Sequence, residues 1–171
     1  MTKTIRVILI MISLSISTSL LGQNKPLRND TISADSDMQV VMSTKVSMDI
    51  DMKLFPKTQG SMFFSESPRA MIMPMVLRGN FDTYDEKKLL EETGKELGIE
   101  IKKQGALTKQ GKKAYYIIGI TKDKDRNVIL EIYFVKGDVN RTIMITGFYD
   151  KSAKKLYGKQ IRNAAFSAKL D

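Results

Sequence analysis

The most constraining feature of this chain is a run of strand-like segments, from Ile99 to Tyr149, joined by connections too short for a crossover. Ile99–Gln104, Lys113–Thr121, Val128–Lys136 and Thr142–Tyr149 are rich in β-branched and aromatic residues. Lys122–Asn127 and Gly137–Asn140 are polar and of hairpin length. Parallel neighbours need a crossover of a dozen residues or more, so these strands are expected to form an antiparallel meander. Tyr115–Ile118 is apolar on both faces, which places that strand in the middle of a sheet. The same holds for Val128–Lys136, where Glu131 is the one charge inside the run.

Further strands are expected before the meander. Val46–Leu54 alternates apolar and polar residues without a break, and Pro56 ends the pattern because it has no N–H to donate. Lys57–Gly60 reads as a turn and Ser61–Phe64 as a short strand. Ala70–Val76 is apolar, with Pro74 marking an edge or a bulge. Two helices complete the set. Thr83 and Glu86 have capping-box spacing, Leu89, Leu90, Thr93 and Leu97 recur on one face, and Gly98 is a stop. The spacing therefore predicts a helix over Tyr84–Leu97. Asp150 is placed to cap a second helix over Lys151–Ala168, with Leu156, Tyr157, Ile161, Ala164 and Ala165 facing inward. Gly158 weakens that helix by about 1 kcal/mol relative to Ala. The expected class is α+β: a mostly antiparallel sheet of five to seven strands carrying two amphipathic helices.

The N-terminus carries an export signal. Lys3 and Arg6 precede an uncharged, largely apolar run from Val7 to Leu21, and Gly22–Pro26 is abruptly polar. That is a signal peptide over 1–22. The run is shorter than the roughly 20 apolar residues of a membrane span. The polar stretch 23–42 reads as a flexible leader, and 43–171 as a single domain. The mature protein is expected outside the cytoplasm, in a periplasm or released, with no integral membrane span.

The chain has no His and no Cys. Their absence removes Ser-His-Asp and Cys-His catalysis, zinc sites built on either residue, and a His general base. Two carboxylates suffice for glycoside hydrolysis. The candidate pairs are Asp49 with Asp51, explained by the wet face of a strand, and Asp85 with Glu86, explained by a helix first turn. No Gly-rich phosphate loop is present. The protein is expected not to be an enzyme and to need no cofactor.

Two features remain as binding candidates. Residues 23–100 carry 10 basic and 13 acidic side chains, whereas 101–171 carry 16 basic and 6 acidic. Lys102, Lys103, Lys109, Lys112 and Lys113, bracketing a turn expected at Gln104–Gly111, join Lys155 and Lys159 on the second helix as a candidate anionic-surface site. An acidic envelope partner, lipid headgroup or polymer would suit it; nucleic acid is not expected for an exported chain. The other candidate is methionine: eight of the 11 lie between Met38 and Met75. Met71, Met73 and Met75 share one strand face and could offer soft ligands to Cu(I), with Met48 and Met52 beside them if the two strands pair. The same pattern serves equally as core filler.

Taken together, the elements resemble the Mog1/PsbP-like α/β/α sandwich, which includes the DcrB-type exported bacterial proteins. The resemblance rests on Leu54-Phe55-Pro56, Gly111–Tyr116, Thr142–Tyr149 and Ile161–Ser167, and covers Lys45–Leu170. It implies an accessory or assembly factor, and the sequence as a whole reads as an accessory or binding protein of the bacterial envelope whose sheet presents a surface to a protein partner. The resemblance supplies no catalytic residue.

Export is tested by mass spectrometry of the native protein. The mature chain is expected to start within a few residues of Gln23; retention of Met1 or Thr2 on a cytoplasmic protein would refute it.

Overall fold

The computed structural model describes residues 45–171 apart from 124 and 125. The signal peptide and leader expected over 1–22 and 23–42 lie outside the described residues. In chain order the elements are β1 (Val46–Ser47), β2 (Lys57–Gln59), β3 (Met62–Glu66) and β4 (Arg69–Arg78), then a 3-10 turn (Phe81–Thr83) and helix α1 (Glu86–Leu97). The meander β5 (Glu100–Lys109), β6 (Lys112–Asp123), β7 (Arg126–Lys136) and β8 (Arg141–Asp150) follows. A second 3-10 turn (Lys151–Ala153), helix α2 (Lys154–Ser167) and β9 (Lys169–Leu170) complete the order.

β2 to β8 form one antiparallel sheet in the order β2-β3-β4-β8-β7-β6-β5. β1 pairs with β9 in a separate two-stranded clasp. The two faces of the large sheet carry separate cores. On one, Ile72, Ile129, Tyr133, Ile143, Ile145 and Tyr149 meet Tyr157, Ile161, Ala164 and Ala165 of α2. On the other, Met71, Tyr115, Ile117, Leu130 and Phe134 cluster with Leu89 and Leu90 of α1. β7 is buried from Val128 through Val135, as expected for a strand covered on both sides. The α+β sandwich expected from the sequence is the one observed.

α2 packs tightly on the sheet at two glycines. A Cβ at Gly147 of β8 would lie 2.5 Å from Ile161, which is fully buried. A Cβ at Gly158 of α2 would stand 3.1 Å from the Tyr149 hydroxyl and 3.2 Å from a Glu131 oxygen. Gly158, a weak point by propensity, is where the helix meets the sheet's polar centre.

Several local expectations are corrected. Val46–Leu54 is a strand only at Val46–Ser47. Beyond them the alternation records burial rather than pairing: Val46, Met48, Ile50 and Leu54 rest on the α2-side core, and Asp49 N–H donates to Ser167 Oγ (2.8 Å). Lys57–Gln59, expected in a turn, is the first strand of a hairpin. The turn expected at Gln104–Gly111 shrinks to Gln110 and Gly111, whose φ values of 52° and 76° suit a two-residue hairpin loop. Residues 104–109 extend β5 instead; their polarity reflects an edge strand wet on much of both faces. Asp85, not Thr83, caps α1 by accepting from Lys88 N–H, because Thr83 belongs to the preceding 3-10 turn. Asp150 makes no side-chain cap, since β8 continues through it. β4 is internal, yet its ladder to β3 ends at Ile72, so Pro74 sits where β4 has only β8 beside it. Of the expected core, Leu130, Ile132, Ile143, Ile145, Leu89, Leu90 and Ile161 are buried. Tyr116, Ile118 and Leu97 are half-buried. Leu156 is 42% exposed, since it lies about 100° round the helix from Tyr157.

The close approach is testable. Gly147→Ala is expected to destabilise by about 1–3 kcal/mol through overpacking, and by clearly less in an Ile161→Ala background. Denaturant melts of the four-protein cycle check this; additive costs would show that the contact is slack.

Candidate functional site

The site is built at one end of α2. An open groove of about 670 Å³ lies between the arm at Met48–Asp51, the β5–β6 hairpin at Lys109 and Gln110, and the α2 residues Gln160, Asn163, Phe166 and Ser167. Ser167 Oγ accepts from Asp49 N–H and donates within its own helix turn, to Asn163 or Ala164 carbonyls (3.0 and 3.1 Å), so one hydroxyl pins arm to helix. Across the groove, Lys109 Nζ donates to Asn163 Oδ1 (2.9 Å) and sits 5.9 Å from the centre of the Phe166 ring. The lining combines amides, carboxylates, a hydroxyl and the Lys109 ammonium with the apolar side chains of Met48, Ile50 and Phe166. Such a lining can hydrogen-bond a polar ligand or a peptide backbone.

The lysines singled out from the sequence do not form one patch. Lys109 and Lys112 are directly opposite across the hairpin. Their mutual repulsion is offset at the C-terminal end of α2, where Lys112 Nζ donates to Phe166 O (3.0 Å) and reaches Ala168 O (3.5 Å). Lys103 shares their side of the sheet, since it pairs with Ile118 of the α2-side core. Lys113 is on the opposite face: its ammonium donates to the Tyr115 hydroxyl (3.1 Å) and lies 4.6 Å from that ring's centre. Lys102 pairs with Glu100. Lys155 and Lys159 are exposed in the first half of α2, away from the hairpin.

Met71, Met73 and Met75 share a face of β4, among the aromatic and aliphatic side chains of the α1-side core. Met75 pairs with Met144 of β8, and Met62 joins the same cluster. Met48 packs on the opposite side of the sheet and Met52 is 49% exposed, so the structure does not bring those two to the β4 methionines.

Beneath α2, beside Gly158, lies a buried acid. Glu131, 2% exposed, accepts from Tyr133 Oη at Oε2 (2.8 Å) and from Tyr149 Oη at Oε1. Arg162 of α2 interacts electrostatically with Tyr133. Both carboxylate oxygens are thus engaged by protein donors, and the cluster joins β7, β8 and α2 instead of facing solvent. In sequence Glu131 stands out as a lone charge, but its partners do not. The tyrosines lie on the adjacent strand positions of the same face, and that periodicity is the available signal. The groove residues Gln110, Gln160, Asn163 and Ser167 carry no such signal, because only tertiary contact joins the arm, hairpin and helix.

No known family profile matches the chain, and no curated protein matches it. The structure is similar to LpqN, involved in cell envelope biogenesis of Mycobacterium tuberculosis. The TM-score is 0.55 with 10% identity, over 78% of this chain and 90% of that one. A protein of unknown function from Pseudomonas aeruginosa, PA94, described as a putative regulator, is matched at TM-score 0.45 with 10% identity, over 75% and 94% of the two chains. PsbP from the cyanobacterium Synechocystis is matched at TM-score 0.44 with 8% identity, over 84% and 98%. The likeness to LpqN is one of fold. No helix among the described residues is long and apolar enough to cross a membrane.

The tyrosines that hold Glu131 have a measurable signature. Burial, reinforced by the Glu131 charge, raises Tyr133 above the usual tyrosine range. Burial and the hydrogen bond to Glu131 do the same for Tyr149. A raised folded-state value means that their contribution is fully present below about pH 10 and is lost above it, as the unfolded chain ionises first. Stability is therefore expected to fall by up to about 1.4 kcal/mol per pH unit for each tyrosine above about pH 10. Urea melts across that range check it, and Tyr149→Phe is expected to flatten the slope. An unchanged slope would show that Tyr149 titrates normally.

Proposed function

We propose that this chain is an exported, non-enzymatic accessory or binding protein of the bacterial cell envelope, acting on a protein partner. The observation that carries the reading is the likeness to LpqN, which extends over 90% of that chain and so concerns the whole domain. The signal peptide read from Lys3, Arg6 and Val7–Leu21 supports it, and so does the absence of His and Cys. Glu131, the acid buried in the sheet, has both oxygens occupied, which suits a frame better than a catalyst. The groove at the end of α2 is the proposed contact site, open and lined by polar groups on three separate segments.

The test is capture of partners from an envelope extract by the full chain, followed by reconstitution from purified components. A partner from the envelope is expected, whose affinity drops about tenfold or more when Asn163→Arg fills the groove. Loss of the complex at high salt would assign the contact to the hairpin lysines, and retention to the apolar lining residues. Partners found only among cytoplasmic proteins, or binding untouched by Asn163→Arg, would overturn the reading or its site.

A further inference from the structure

β5 ends the sheet, with no described strand on its outer side. Because the β5–β6 loop is two residues long, Lys109 and Lys112 exchange the first pair of ladder bonds. Alternation then turns the N–H and C=O of Thr108, Ala106 and Gln104 away from β6, into solvent. The register holds unbroken from Lys109↔Lys112 to Lys103↔Ile118, and the irregularity between Ile101 and Lys103 comes only after it. Bulges and lysines are the usual devices that close a free edge. Here they bracket the edge, at 101–103 and at 109, and leave Gln104–Thr108 uncharged and in unbroken register, with Gly105 at a φ of 147° that only its lack of a side chain makes easy.

The bracketing charges determine what can add to it. A second copy could use all three outward residues on both chains in one antiparallel register only, with Ala106 opposite Ala106. That register sets Lys103 of each copy opposite Lys109 of the other, twice over, on the α2 side. Like charges directly opposite destabilise a pair, so the edge is closed to itself. Lys109 is held by Asn163 Oδ1, which is neutral, so its charge stays uncompensated by that bond. Lys103 is exposed, and the edge runs at Lys109 directly into the groove.

We infer that β5 is an acceptor edge for an extended segment of another protein, bound as an added antiparallel strand along Lys103–Lys109, with carboxylates six positions apart meeting the two lysines. This deepens the binding reading by naming the chemistry of the partner. Backbone bonds to Gln104, Ala106 and Thr108 would supply affinity, and the two ion pairs would set register. On the α2 side, Gly105 and Leu107 lie between the lysines, so a small or apolar partner residue is favoured there.

The experiment uses the full chain and a synthetic peptide of about nine residues, alternating Thr and Val, with two Glu six positions apart. Binding is read by fluorescence polarisation and by amide hydrogen exchange. The expected result is protection of the Gln104, Ala106 and Thr108 amides. Ala106→Pro, which removes one outward donor where an edge tolerates proline, should weaken binding about tenfold or more while leaving the melt intact. Lys103→Glu should lose the peptide and regain it when the facing Glu becomes Lys. The same variant should also dimerise in sedimentation, because the carboxylate introduced at position 103 then meets Lys109 of the second copy. No binding up to about 1 mM peptide, protection at other amides, or indifference to both substitutions would overturn the inference. Those outcomes concern a purified pair, so they are distinct from failure to find an envelope partner.

Discussion

The seat of α2 on the sheet governs the rest of this molecule. Gly147 removes the side chain that would otherwise hold Ile161 off, and Gly158 lets the helix backbone come down beside Tyr149 and Glu131. An ionisable carboxyl buried this deeply is costly unless its oxygens are satisfied. Here two phenols donate to it, from its own strand and from the next. The helix, thus fixed in height and rotation, delivers its C-terminal carbonyls to Lys112 and its Asn163 to Lys109. The groove follows from that placement, because the arm is held to the same helix turn through Ser167.

Lysines that look alike in sequence therefore do different work. Lys112 terminates a helix, Lys109 stitches a hairpin to that helix, and Lys113 lies against a tyrosine on the other face. Composition sees only a basic C-terminal half. The structure distributes that charge over two sheet faces and both halves of a helix, leaving Lys103 and Lys109 as the pair that frames an open strand edge.

Much of the fold is legible because its signals are local. The buried strands β6, β7 and β8 announce themselves by apolar runs, and short polar connections force them to be antiparallel. Elements with mixed exposure are harder. The second half of β5 resembles a turn because an edge strand can be polar on both sides. The arm at Val46–Leu54 resembles a strand because any extended segment lying on a core alternates burial, whether or not a neighbour pairs with it. The groove is not legible at all: Asp49, Lys109 and Asn163 are far apart in sequence and only the packed helix joins them. The resemblance to PsbP-like proteins conveys architecture correctly and says nothing about which edge or hollow matters.

The clasp between β1 and β9 has a mechanical consequence. Its strands are antiparallel, and Asp171 N–H donates to Lys45 O at 3.1 Å, so Lys45 and Asp171 lie side by side at one end of the clasp. Tension applied through Lys45 and Asp171 would separate the clasp like a zipper, loading one hydrogen bond at a time rather than shearing all of them together. The seven-stranded sheet would carry no force until the clasp had opened. What yields first is the strand that leads into the arm over the groove, so a pull on the chain would reach the binding hollow before it reached the core.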